Sequence, residues 1–453
     1  MKKELFTAFK VYVFSWLLIF TLMLSRAFSD QITIKRALSD FLESLTYSSF
    51  VIAIQVVFII IYLLFLIIRY FIRVYHIKGN RIMIKRMSLY ILLPVVVLIS
   101  IYKIIVFKNS YEDYDYQWDY AIENTSGKVK NLYSKDQKHR GMSVFGWKND
   151  NKDAIELLVK DHIEWVAVIP FLYQKDEQTV NITTPKNPGH WSRRDSVFIK
   201  NITEMRRKGI HIQLKPHLWM NTGWRSNINL NSKKDWDQWF ISYRKNMMHY
   251  ALMAEQTGVE LLCVGTELKT SLQHQPDQWK SLIQEIKKVY SGKLTYAANW
   301  DGEFNDVSFW DEMDYIGIQA YFPISKKANP DLKTLKKGWD IHIKKLKDLS
   351  ETHQKPILFT EVGYKSEASA TIKPWEWGSY FSILHKKKSN KTQQLAYEAL
   401  FQQLWDKDWF SGMYIWQWNI NSEEENVYKS LGFSPRFKPA ENIIAKWYGT
   451  VSF

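Results

Sequence analysis

Hydrophobic and polar positions are arranged in two different ways along the 453-residue chain. In the first quarter the apolar positions run on almost without interruption. Phe50 to Ile68 is apolar except for Gln55, and Leu89 to Phe107 is a second such run, with Lys103 near its end. Each is close to the roughly 20 residues that cross a bilayer core as a helix. An earlier run, Val11 to Leu24, is extended by Leu5–Phe9 and Ala27–Phe28. No small-residue cleavage site follows it, which favours an uncleaved helix over a signal peptide. The pattern predicts a membrane region over residues 1–108, with transmembrane helices at about 8–28, 50–68 and 89–107.

From Arg140 onward, short apolar runs alternate with segments of helical period. The strand candidates are Gly141–Trp147, Ile163–Leu172, His211–Trp219, Glu260–Leu268, Leu294–Trp300, Tyr315–Phe322, Pro356–Val362 and Gly412–Trp418. Helical periodicity marks Asp195–Lys208, Trp236–Gln256, Gln278–Tyr290, Leu332–Thr352, Thr392–Asp406 and Pro439–Trp447. Eight strands, each followed by a helix or a long loop, predict an α/β fold, a (β/α)8 TIM barrel over residues 139–453. An open doubly wound sheet would carry a glycine-rich phosphate turn after its first strand, and GMSVFGWKN is not one. Residues 109–138, beginning NSYEDYDYQWDY, are acidic and aromatic and read as a spacer.

Charge refines this division. The chain carries a formal +15, an excess that would ordinarily suggest nucleic acid as a partner. Residues 1–108, however, hold 14 Lys and Arg against four acids, so two-thirds of the excess belongs to the membrane region. Six of those bases (Arg69, Arg73, Lys78, Arg81, Lys85 and Arg86) lie between the second and third apolar runs. The positive-inside rule places that segment and the N-terminus in the cytoplasm, and everything after Phe107 outside. Anionic lipid headgroups account for the basic charge, and no nucleic-acid partner is needed. One cysteine, Cys263, excludes a disulfide framework and reads as apolar filling of the barrel. The 11 histidines show no zinc spacing, so neither a metal nor another cofactor is expected.

Chemistry in such a barrel sits at the C-terminal ends of the strands. Those ends supply Trp147, Tyr173, His217, Trp219, Glu267, Asn299, Trp300, Tyr321, Glu361, Trp416 and Trp418. Flat aromatic faces stack on sugar rings while Asn and His bind hydroxyls, so the composition suits carbohydrate. Strict alternation puts Cys263, Gly265 and Glu267 on one face, Phe359, Glu361 and Gly363 on another, and Trp416 with Trp418 on a third. Glu267 and Glu361 end the fourth and seventh strands and face each other across the mouth. Retaining glycoside hydrolysis needs two carboxyls about 5–5.5 Å apart, one protonated and one ionised. Asp301, Glu303 and Glu423–Glu425 read as loop charges, and Arg193, Arg194 and Lys386–Lys388 as solvated loop faces.

The motifs CVGTELK, IQAYFP, LFTEVGYKS and GMYIWQWN resemble those of clan A glycoside hydrolases. More narrowly, residues from about Arg140 to Tyr448 resemble glycoside hydrolase family 113, whose characterised members are β-1,4-mannanases. The resemblance implies a retaining double displacement with Glu267 as acid/base and Glu361 as nucleophile. It also implies that Tyr321 hydrogen-bonds the nucleophile and that Trp416 or Trp418 floors the −1 sugar. Much of the clan has Asn before its acid/base, and Thr266 stands there in this chain. The expectation is a membrane-anchored, outward-facing retaining glycosidase acting on a β-linked polysaccharide or oligosaccharide, best matched by β-1,4-mannan. A non-catalytic carbohydrate-binding barrel and a glycan-remodelling transglycosylase are the competing readings.

Overall fold

The computed structural model describes residues 2–29, 48–112, 116–183, 195–378, 382–420 and 430–452, with a few single positions between 30 and 47. Arg193, Arg194 and Glu423–Glu425 lie outside the described residues. The chain divides into two compact units, Met1–Ile104 and Ile105–Phe453.

The first unit contains stretches long and apolar enough to cross a membrane at Phe6–Ser25 and Phe50–Lys78, and a third, Asn80–Ser110, runs on into the second unit. Large apolar side chains such as Ile59, Leu63, Leu98 and Ile104 are exposed along them. Gln55, the polar interruption of the second run, donates to the Tyr12 hydroxyl at 3.2 Å. Residues 69–88, expected as a loop, are helical apart from Gly79. Gly79 has φ 75°, a conformation that costs glycine nothing. The chain doubles back there, and Arg86 donates to the Tyr70 hydroxyl at 2.7 Å. The six basic side chains thus decorate the tip of a helical hairpin.

The second unit is a closed eight-stranded parallel barrel. Its strands are β1 (His139–Phe145), β2 (Trp165–Val168), β4 (His211–Leu214), β6 (Leu261–Thr266), β7 (Lys293–Asn299), β8 (Tyr315–Gln319), β9 (Ile357–Val362) and β10 (Phe410–Asn419). They follow one another around the barrel in chain order, and β10 closes on β1. Two strands expected to be continuous are each cut by a proline, which has no N–H to give the ladder. Past Pro170 and Pro216 the chain resumes as β3 (Phe171–Gln174) and β5 (His217–Met220), paired with each other as a separate two-stranded sheet. Helices Asp195–Arg207, Lys233–Thr257, Pro276–Val289, Leu332–His353, Asn390–Leu404 and Pro439–Tyr448 match the periodic segments. The nine-residue helix Lys152–Lys160 was too short to stand out from its pattern. Between β7 and β8 the connection uses two 3-10 turns, Glu303–Asn305 and Trp310–Glu312. The spacer is tied down at its end: both carboxylate oxygens of Glu164 accept from the backbone N–H groups of Leu132 and Tyr133, at 2.6 and 2.8 Å.

Apolar side chains form two clusters. The outer one lies between strands and helices and includes Val166, Leu262, Val264, Phe359 and Val362. The inner one fills the barrel and includes Phe145, Trp165, Leu261, Tyr315, Leu358, Tyr414 and Trp416. Alternation between the two is regular along most of each strand.

Candidate active site

Three strands break that alternation at their C-terminal ends. In β6 the pairing with β7 shifts between Cys263 and Thr266. A Cβ on Gly265 would meet Trp279 and Tyr296, so Gly265 faces the helices and does not share the face expected for Cys263 and Glu267. Thr266 then turns inward, its hydroxyl 3.9 Å from the Cys263 Sγ. Glu267 takes a left-handed φ of 52°, a strained conformation for a side-chain-bearing residue. In β9 the pairing shifts between Ile318 and Gln319 of its neighbour. Phe359 therefore packs in the outer cluster and Glu361 does not follow it. In β10 the shift lies between the partners Ile415 and Trp418. Trp416 joins the inner cluster and Trp418 the outer one, so the two do not share a face. Bulges at strand ends re-aim side chains in this way.

Glu361 is buried and surrounded by donors. Lys215 Nζ lies 2.5 Å from its Oε1, the Tyr321 hydroxyl donates to Oε2 at 2.9 Å, and His217 Nε2 stands 3.3 Å from Oε1. Burial alone would raise the carboxyl pKa, but the Lys215 charge and the contacts from His217 and Lys215 hold it well below the usual range. His217 is itself depressed to about 4 by burial and by Lys215, so it faces Glu361 as a neutral imidazole. The Tyr321 hydroxyl is pushed up by burial and by the Glu361 charge and stays a donor.

Glu267 has the opposite balance. Its Oε1 accepts from Asn299 Nδ2 at 2.7 Å and its Oε2 from Arg225 Nη2. Burial nevertheless raises its pKa, and the charge of Glu361 adds to the effect against the opposing guanidinium of Arg225. Behind it Glu303 is fully buried in its 3-10 turn rather than a loop charge. Its oxygens accept from the Tyr296 hydroxyl at 2.6 Å and from the Asn299 backbone N–H at 2.8 Å. Burial raises the Glu303 carboxyl to about 7, with the Glu267 charge contributing in the same direction. Glu303 thus orients the residue that orients Glu267.

The aromatic rim divides. Trp416 stacks at 6.4 Å from His217, edge-on to Phe145 at 4.9 Å and to Trp377 at 6.2 Å. Trp219 is 44% exposed against Phe171, and Tyr173 packs half-buried on the inner cluster. Trp300 stacks on Trp375 at 4.7 Å. Trp147 and Trp418, both expected on the rim, are buried in the outer cluster. Sequence reasoning missed Lys215, Arg225, Trp375 and Trp377. Lys215 had a signal in hindsight, a lysine at an inward position of an apolar strand just before a proline. The two tryptophans stand in the loop segment KPWEWG; Arg225 had no local signature.

No group of three or more His, Cys, Asp or Glu side chains suited to a metal ion occurs among the described residues. The arrangement offers one carboxylate kept ionised, one carboxyl biased toward the protonated form, and flat aromatic walls, which is the equipment for double displacement at a sugar.

Comparison with known proteins agrees with this chemistry. Residues 142–434 match the model of Glycoside Hydrolase Family 113. A solved GH113 β-1,4-mannanase is 25% identical, covers 68% of this chain and 97% of its own, and superposes with a TM-score of 0.60. The GH113 β-mannanase AaManA from Alicyclobacillus acidocaldarius, solved in complex with ManMIm, is also 25% identical, covering 70% of this chain and 98% of its own with a TM-score of 0.61. No curated protein sequence matches the chain. A barrel with these two differently tuned glutamates, matched by the family over well over half of its residues, makes the chain a member of Glycoside Hydrolase Family 113 and a clan A retaining glycoside hydrolase.

Proposed function

We propose that this protein is a membrane-anchored, outward-facing glycosidase that cleaves β-1,4-linked mannan or a closely related β-linked glycan. Glu267 gives its proton to the glycosidic oxygen while Glu361 attacks the anomeric carbon from the opposite face. The C–O bond to the leaving sugar breaks and a glycosyl ester on Glu361 forms. Glu267, now ionised, takes a proton from water, whose oxygen displaces Glu361 and restores both carboxyls. Asn299 and Tyr321 hold the two carboxyls in place, while Trp416 and His217 wall the −1 sugar. Thr266 reaches less far than an asparagine would toward the sugar 2-hydroxyl.

The observation that carries this reading is the unequal tuning of the carboxyls, with Lys215 on Glu361 and burial on Glu267. The mannan assignment is supported by the β-mannanases to which the barrel is similar. The anchoring and its direction are supported by three apolar helices and by the basic tip at Gly79. The test is Glu361→Ala given an activated aryl β-mannoside and azide. Azide enters the face the carboxylate vacates, so the expected product is the α-mannosyl azide; its absence overturns the nucleophile assignment. Incubating the wild-type chain with mannan, glucomannan, xylan and β-glucan then decides the backbone cleaved.

A further inference from the structure

Arg225 lies on the 3-10 turn Arg225–Asn227 just after β5. It is 11% exposed at its side chain and ion-paired to Glu267. Glu267 is its one acidic partner in an ion pair among the described residues, and its buried Nε has no partner. The pair raises a difficulty for the reaction proposed above. Both oxygens of Glu267 accept, one from Asn299 and one from Arg225, so the contact fits the ionised carboxylate. The first step needs Glu267 protonated, and the proton turns one acceptor oxygen into a donor. Guanidinium has only donors, so beside a protonated Glu267 it keeps at most a neutral acceptor and no opposing charge. While Glu267 still carries its proton, before donation, Arg225 therefore lacks a charged partner and is enclosed at the mouth. The nearest other carboxyls do not replace it: Glu361 is engaged by Lys215, and Glu303 spends its oxygens on Tyr296 and Asn299.

We infer that the sugar on the leaving-group side carries an anionic group, a carboxylate, that takes over Arg225 when Glu267 is protonated. Position supports this, because the leaving sugar must sit beside Glu267, where Arg225 stands. A platform is present as well: Trp224, with Arg225 4.5 Å from its ring, is 43% exposed and can bear the ring of a uronic acid. A planar guanidinium is suited to paired hydrogen bonds with a carboxylate. The inference rests on the glycosidase reading and narrows its substrate to an acidic β-linked glycan, or to one mixed with neutral sugars.

The experiment uses β-1,4-manno-oligosaccharides partly oxidised at C6, so that neutral and uronic units compete within one chain. The full-length protein in detergent cleaves them, and mass spectrometry identifies the new non-reducing end, which is the former leaving sugar. Bonds followed by a uronic unit are expected to break about tenfold faster than bonds followed by a neutral one. Arg225→Met is expected to erase that ratio and Arg225→Lys to retain part of it. Equal or slower cleavage before uronic units by the wild-type chain overturns the inference and leaves the glycosidase reading standing. Cleavage of neither kind of bond overturns it too, and the azide experiment then decides the glycosidase reading separately.

Discussion

The two ends of the barrel solve the problem of filling its axis in opposite ways. At the N-terminal end His139 stacks on Trp165 at 3.9 Å, Trp165 on His211 at 4.7 Å, and the Tyr414 hydroxyl sits 2.9 Å from His139 Nδ1. Burial, with Lys293 and His211 nearby, keeps the His139 pKa well below the ordinary value, so this ring is neutral. At the C-terminal end the axis is lined by ionisable pairs: Lys215 with Glu361 and Arg225 with Glu267. The first end consists of flat rings on strands that alternate regularly, apart from β10, whose pairing with β9 shifts between Phe410 and Met413. The second consists of ionisable pairs on strands whose alternation has broken, and Glu267, Glu361 and Trp416 all sit where it breaks. Regular pleating places side chains where packing wants them, whereas a shift of register places them where chemistry does.

The sharpest way to break this comparison is to remove the cation on which the charged end depends. Lys215→Met leaves Glu361 buried beside only His217 and Tyr321. With the Lys215 charge gone, burial prevails and the Glu361 pKa rises toward and beyond its ordinary value. The nucleophile acts only when ionised, so activity is lost as pH falls through its pKa, and the acid limb of the pH profile moves to higher pH. At neutral pH kcat/KM is expected to fall about 10³-fold, or ~4 kcal/mol. A profile whose acid limb stays in place would show that Lys215 contributes only packing.

How much of this was legible in the sequence divides along the same line. Barrel class, strand positions and both glutamates could be read, because apolar runs and the residues that end them are local properties of the chain. Reading strand ends also singled out Asn299, which closes β7, and Tyr321, which lies just past β8. Period-two reasoning misassigned Gly265, Phe359 and Trp418, all next to a bulge. A bulge is decided by how two strands pair, which neither strand records alone. Lys215 and Arg225 were missed for a related reason: their partners are 146 and 42 residues away, so only the closed barrel shows that each is answered by an acid. Glu303 looks like a loop charge because the loop itself folds inward over Asn299 and Tyr296.

The neutral end offers the complementary test. Trp165→Ala removes the middle ring of the stack and leaves a cavity lined by His139, His211 and Tyr133. A loss of about 3–4 kcal/mol in unfolding free energy is expected, measured by thermal or denaturant unfolding. The kcat per folded molecule should stay at the wild-type value, counted by the burst of glycosyl-enzyme formation. A fall in kcat with unchanged stability would mean that the two ends are coupled and the contrast between them fails.

The smallest effect measures whether the charged end is held at a cost to folding. Glu303 has a folded pKa of about 7 against an ordinary 4.5. A raised pKa means the folded protein holds a proton that the unfolded chain releases earlier. The associated stability is therefore fully present below about pH 4.5 and is lost as pH rises through about 7. Over that window the group accounts for a decline of about 2–3 kcal/mol. Glu303→Gln removes the titration while keeping an oxygen for the Asn299 backbone N–H. The variant should be less stable than wild type at pH 4.5, where the wild-type carboxyl is protonated and well bonded. By pH 8 that deficit should shrink by about 2–3 kcal/mol, because only the wild-type chain has lost stability on the way. Melting temperatures of both proteins at the two pH values measure this double difference. A deficit of the same size at both would mean that Glu303 is ionised throughout, so that its buried charge is stabilised by Arg225 and the charged end carries one more ion than its hydrogen bonds alone imply.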